Sequence, residues 1–161
     1  MTRRPFVALL SALGLGPAVR DAAAQAPAPA VAKLVLSDAD WQKRLTPAQY
    51  DILRQEGTER PGTSPLNAEK RKGTFHCVGC EHPLFSSDTK FESGTGWPSF
   101  WAPLAGAFTT RTDYKILVPR TEYRCARCDG HHGHVFDDGP KPTGKRYCNN
   151  GVALKFVPTA A

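Results

Sequence analysis

Two short segments of identical spacing, Cys77-Val78-Gly79-Cys80 and Cys125-Ala126-Arg127-Cys128, constrain this chain more than any other feature. A C-x-x-C turn aims two sulfurs at one point, and two such turns complete a tetrahedral four-sulfur site with metal–sulfur bonds of about 2.3 Å. Forty-four residues lie between the pairs. A shared ion would therefore tie distant parts of the chain together and remove entropy from the unfolded state. Four cysteines leave no open coordination position, which points to a structural rather than a catalytic zinc. Two disulfides, or one redox-active pair, are the alternatives open to these residue types. A redox motif, however, has no use for a matching second pair.

The remainder of the chain suits one compact domain. It has 161 residues, 40% of them hydrophobic, with 14 glycines and 14 prolines that favour short elements joined by many turns. The formal charge is +6, but Arg3, Arg4 and Arg20 fall in an N-terminal leader and no dense Lys/Arg run remains, so no nucleic-acid partner is expected. Arg3-Arg4 followed by the apolar stretch Phe6 to Val19, with small-residue cleavage sites at Ala22 to Ala26, reads as a twin-arginine-type export signal over residues 1–24. The apolar stretch is too short for a permanent membrane anchor. Residues 25–36, with Ala26-Pro27-Ala28-Pro29-Ala30, form a stiff linker, and residues 37–161 the domain proper. The mature protein is expected in a bacterial periplasm, as a monomer.

Ser37-Asp38-Ala39-Asp40 has the pattern of a capping box before Trp41, and Thr46-Pro47 starts a second short helix. From Thr74 onward strand signals take over. Tyr114-Lys115-Ile116-Leu117-Val118 reads as a buried strand, Thr121 to Arg124 leads into the second cysteine pair, and Val152, Leu154 and Phe156 alternate along one apolar face. The expected class is mainly β, with small peripheral helices on its N-terminal side.

Cys148, the fifth cysteine, stands alone in Arg146-Tyr147-Cys148-Asn149-Asn150. On a strand, Arg146 and Asn150 share its face, and a guanidinium there favours the nucleophilic thiolate. A buried, inert cysteine is the competing reading. Upstream, Gly130-His131-His132-Gly133-His134-Val135-Phe136-Asp137-Asp138 offers imidazoles able to pass a proton near neutral pH. Which of them faces a site depends on strand alternation. Gly94-Thr95-Gly96-Trp97-Pro98-Ser99-Phe100-Trp101 suits a rigid loop that carries rings into an apolar pocket, or a core aromatic cluster. A lone thiolate, proton donors and aromatic rings admit a cysteine hydrolase as well as a sulfur oxidoreductase.

These three segments, with both C-x-x-C pairs in the same order and spacing, closely resemble the MsrB-type methionine-R-sulfoxide reductases over roughly Leu45 to Val157. The resemblance implies two antiparallel β-sheets forming a small barrel-like core, and a structural zinc on Cys77, Cys80, Cys125 and Cys128 away from the chemistry. It implies Cys148 as nucleophile and His131 and His134 as active-site histidines, supported by Arg146 and Asn150. Trp97, with Phe136, would pack on the substrate. No organic cofactor is implied. The substrate would be methionine-R-sulfoxide in oxidised proteins or peptides, and a thioredoxin-like or other thiol would be the reductant. Thr95 stands where many members carry a resolving cysteine. An outside thiol is therefore expected to reduce the sulfenic acid of Cys148 directly.

Overall fold

The structure, a computed structural model, describes residues 31–160. The leader, with its twin-arginine reading, and the first part of the expected linker lie outside the described residues. Among those described, no helix is long and apolar enough to cross a membrane.

Two short helices open the fold. Helix α1 (Asp38–Arg44) is capped by Ser37, whose hydroxyl accepts from the Asp40 amide. Helix α2 (Pro47–Gln55) has the reciprocal box in which Thr46 and Gln49 satisfy each other's backbone amides, with proline at its first turn. Trp41, Ile52 and Leu53 form the buried faces of these helices.

Nine strands follow in two antiparallel sheets. Strands β1 (Gly73–Cys77), β2 (Pro83–Ser86) and β9 (Leu154–Pro158) form one sheet in the order β2-β1-β9. The second holds β3 (Lys90–Phe91), β4 (Ser99–Phe100), β5 (Phe108–Asp113), β6 (Arg120–Cys125), β7 (His131–Phe136) and β8 (Arg146–Asn149), in the order β3-β4-β8-β7-β6-β5. The mainly β class is as expected, but both sheets keep open edges and no closed barrel forms. Phe75 and Phe85 of the small sheet meet Phe100, Phe108, Tyr123 and Tyr147 of the large one, with Phe85 stacked on Phe100 at 4.0 Å and Phe75 edge-on to it at 4.9 Å. Each such pair adds roughly 0.5–1.5 kcal/mol to its area burial.

Strand alternation gives the large sheet two different faces. Tyr123, Val135 and Tyr147 point into the aromatic core. The neighbours that alternate with them, Glu122, His134, Phe136, Arg146 and Cys148, lie on the other face.

The two C-x-x-C segments fold as matching knuckles. In each, the first cysteine's amide donates to a carbonyl five residues on (His82 or Gly130), and its own carbonyl accepts from the amide four residues on, at 2.8 Å (Glu81) or 2.9 Å (Asp129). The residue after the second cysteine, Glu81 or Asp129, is left-handed, which closes each turn. The first knuckle ends β1 and the second ends β6, so the pair joins one sheet to the other. Leu53 of α2 lies between them: a Cβ on Gly79 would be 3.2 Å from its Cδ1, and one on Gly130 2.8 Å from its Cδ2. Within the expected linker, Lys33 Nζ and the Leu34 amide bond the carbonyls of Ala126 and Arg127 in the second knuckle.

One expectation fails. Tyr114 to Val118 is not a buried strand but the exposed tip between β5 and β6. Asp113 pairs with Arg120 across the hairpin at 2.6 Å and accepts the Lys115 amide at 2.8 Å, so the ladder closes before the apolar run begins. With no strand alongside, its side chains have nothing to pack against.

Candidate active site

Cys148 sits on β8 between two neighbours, opposite Ser99 of β4 and opposite His134 of β7. It is half-buried, and with Trp97, Arg120, His134, Phe136, Asn150 and others it lines a small cavity of about 140 Å³. Side chains opposed in an antiparallel pair lie about 4.5–5.5 Å apart at Cβ, which brings the imidazole of His134 beside the thiol. The close approach of β7 to β8 requires Gly133, because a Cβ there would stand 1.9 Å from the Cys148 carbonyl oxygen. From the core side the Tyr123 hydroxyl lies 3.0 Å from that same oxygen and 3.0 Å from Asn149 Oδ1.

His131 and His134 are three residues apart, which in a regular strand puts them on opposite faces. A bulge intervenes: Tyr123 pairs with Gly133, but the next residue of β6, Arg124, pairs with His131. The extra residue, His132, restores the phase, and the rings of His131 and His134 come within 5.5 Å of each other. His134 Nε2 bonds Asp113 at 2.7 Å and His131 Nδ1 bonds Glu122 at 2.6 Å. Each imidazole thus gives one ring nitrogen to a carboxylate, an arrangement that fixes its tautomer and orientation. Burial pushes both histidines below the ordinary imidazole range, while their carboxylates pull the other way. His132 is fully buried, with neither ring nitrogen bonded among the described residues.

Arg146 makes a two-pronged pair with Asp138, at 2.8 and 2.9 Å, and its guanidinium lies 4.4 Å above the ring of Phe136. Of the two aspartates in the motif, Asp138 is thus the one that fixes the arginine, while exposed Asp137 pairs with Lys145. Burial raises the Cys148 thiol above its ordinary range and outweighs Arg146 and Thr95, both of which favour the thiolate. The expected thiolate bias is therefore present, but it does not prevail in the resting site. Asn150 reaches the cavity, yet its side chain is committed to backbone: Nδ2 donates to the His132 carbonyl at 3.0 Å and Oδ1 accepts from the Glu59 amide at 3.0 Å. Trp97 donates its indole N–H to the Glu59 carbonyl at 3.1 Å.

Sequence reasoning missed Asp113, Glu122, Arg120 and Glu59. The alternation Arg120, Glu122, Arg124 on one strand was a usable signal, since charges at every second residue mark a polar face. Glu122 and Arg124 are both buried, which demands partners. Nothing local marked Glu59, whose carboxylate accepts the amides of Gly151 and Val152 at 2.6 and 2.9 Å from more than ninety residues away.

The four knuckle sulfurs lie within 4.8 Å of one another and are buried, and all five cysteines are free of disulfides. A tetrahedral S₄ site with bonds of about 2.3 Å has sulfurs about 3.8 Å apart. Cys77 and Cys128 are at 3.7 Å, Cys80 and Cys125 at 3.5 Å, so the donor set fits such an ion. None of the four lines the Cys148 cavity.

Fold and cavity together define a class: two-sheet β proteins built on a four-cysteine clip, with a fifth, half-buried cysteine lining a small cavity. Residues 45–158 match the SelR domain model, and the chain belongs to that family. The peptide methionine sulfoxide reductase MsrB of Agrobacterium fabrum is 54% identical over 127 residues, 78% of this chain and 94% of that protein. The MsrB protein of Pseudomonas putida is 54% identical over 74% of this chain and 90% of its own length. The chloroplastic peptide methionine sulfoxide reductase B1 of Arabidopsis thaliana is 55% identical over 75% of this chain, which spans 60% of that longer protein.

Proposed function

We propose that the chain reduces methionine-R-sulfoxide in peptides and proteins, with Cys148 as the nucleophile. The observation that carries this reading is the pairing of Cys148 with His134 in a cavity that also holds Trp97 and Phe136. The names of its relatives point the same way.

The Cys148 sulfur attacks the sulfoxide sulfur while the oxygen is protonated. The S–S bond formed by the attack and the S–O bond to methionine then break as the hydroxyl passes to Cys148, forming its S–OH bond. Methionine sulfur gains two electrons and Cys148 loses them, ending as a sulfenic acid. The thiol proton and the oxygen's proton balance, so the step consumes none. His134, held by Asp113, lies where it can pass that proton, directly or through water. Trp97 and Phe136 offer apolar faces to the methyl group and the methionine stem. The other four cysteines are gathered in the knuckles and Thr95 borders Cys148, so two molecules of an external thiol complete the cycle, releasing water and a disulfide. Cys77, Cys80, Cys125 and Cys128 would hold zinc, which supplies a structural tie between the sheets. Export through the leader of residues 1–24 rests on Arg3-Arg4 and the apolar stretch after them. Mass measurement of the secreted protein would identify its first residue.

The test uses an epimeric mixture of N-acetylmethionine sulfoxide, a dithiol and chiral analysis of what remains. Only the R epimer should disappear, and Cys148→Ser should abolish the loss. Survival of both epimers in a folded, zinc-loaded sample would sink the reading.

A further inference from the structure

The tip between β5 and β6 presents an apolar surface that the reaction at Cys148 does not use. Tyr114, Ile116, Leu117 and Val118 are exposed by 73%, 49%, 106% and 65%. Isolated apolar residues on a surface are ordinary, but a consecutive exposed run is disfavoured unless something binds it. This run is held in place at its root. Asp113 and Arg120 bracket it and pair with each other, the Lys115 amide bonds Asp113, and the Lys115 ammonium pairs with Glu56.

The same root residues belong to the reactive cavity. Arg120 lines it with Cys148, and Asp113 orients His134. Through these two root residues the apolar tip adjoins the wall of that cavity. The bent run starts at the residue after Asp113 and returns to Arg120, so it stands within reach of chain a few positions away from a residue seated in the cavity.

Methionine is mostly buried in folded proteins, and the chain around it is correspondingly apolar. Oxidation disrupts such cores and exposes those segments. We infer that the Tyr114–Val118 tip is a docking lip for unfolded, apolar-flanked segments of oxidised protein, and so sets substrate preference by what surrounds the sulfoxide. This rests on the reductase reading above.

The test compares the full chain with the combined variant Ile116→Ser, Leu117→Ser, Val118→Ser. The substrates are N-acetylmethionine sulfoxide, too short to meet the tip, and two heptapeptides with central methionine-R-sulfoxide, one flanked by Leu and Ile, the other by Ser and Thr. The wild type should favour the apolar peptide by about tenfold in kcat/KM, mainly through KM. The variant should lose that preference, keep its melting temperature, and turn over the small substrate within about twofold. Absence of the preference in the wild type, or its survival in the variant, overturns the inference. So does an equal loss on the small substrate, which would make the tip part of the reactive cavity. A dimer dissociated by the variant overturns it as well, since a second copy would then be the occupant. If the wild type reduces none of the three substrates, the reductase reading itself has failed.

Discussion

At the scale of single residues, the site is governed by positions that look unremarkable in the chain. Gly133 is one: a Cβ there would meet the Cys148 carbonyl oxygen at 1.9 Å. Gly133→Ala must push β7 from β8, so sulfoxide reduction should fall at least tenfold while the separate knuckles retain metal. Turnover and metal stoichiometry check this together. Cys148 is another. Burial raises its thiol while Arg146 and Thr95 pull it down. Replacing Arg146 by methionine removes one of the opposing pulls, so the pH midpoint for alkylation of Cys148 by iodoacetamide should move further up. A downward movement would contradict the assignment of Arg146.

At the scale of elements, phase decides more than composition. The β7 bulge at His132 brings His131 and His134 to one side, and the spacing of the histidines alone leaves that choice open. Helix α2 shows the complementary case, since its cap and proline were legible in Thr46-Pro47 but the reciprocal partner Gln49 and the target of its apolar face were not. Leu53 proves to pack between the two knuckles. Leu53→Ala should therefore cost about 2–5 kcal/mol in a denaturant melt of the metal-loaded protein, the range for a well-packed core leucine. A cost below 1 kcal/mol would mean that the knuckles hold their positions without α2. The misread run Tyr114 to Val118 belongs here too. Its hydrophobicity resembles that of a core strand, and only the early closure of the hairpin by Asp113 and Arg120 sends it to the surface.

At the scale of the whole molecule, two kinds of long-range tie join the sheets and the helices. The knuckles form one. Stripping the metal with a strong thiol-directed chelator should lower the melting temperature sharply, and zinc should restore it, because the free energy of binding is in part free energy of folding. The second is the charged face of the large sheet, where Glu56 from the end of α2 meets Lys115, Arg111 and Arg124. The Lys115 bond, then Arg111, holds the Glu56 carboxyl down at about 2 against an ordinary 4.5. A depressed carboxyl stabilises the fold above its unfolded pKa and loses that contribution as pH falls through the folded one. With screening by solvent this amounts to about 1 kcal/mol. Glu56→Gln should thus destabilise the protein at pH 7 and match the wild type near pH 2. Urea melts at both values test it.

The sequence by itself determined what depends on residue type and short spacing. The four-cysteine clip, the singular Cys148, the helix caps and the mainly β class were all legible, because two-residue turns, capping groups and strand alternation act over a few bonds. The tertiary structure alone decided which partners those residues find. Asp113 on His134, Glu122 on His131 and Glu59 under Gly151 are set by register between strands and by chain separated by up to ninety-two residues. It also decided that Cys148 rests as a raised thiol. Burial is a property of the packed sheet pair and outweighs the arginine two residues away, whose effect the local sequence does reveal.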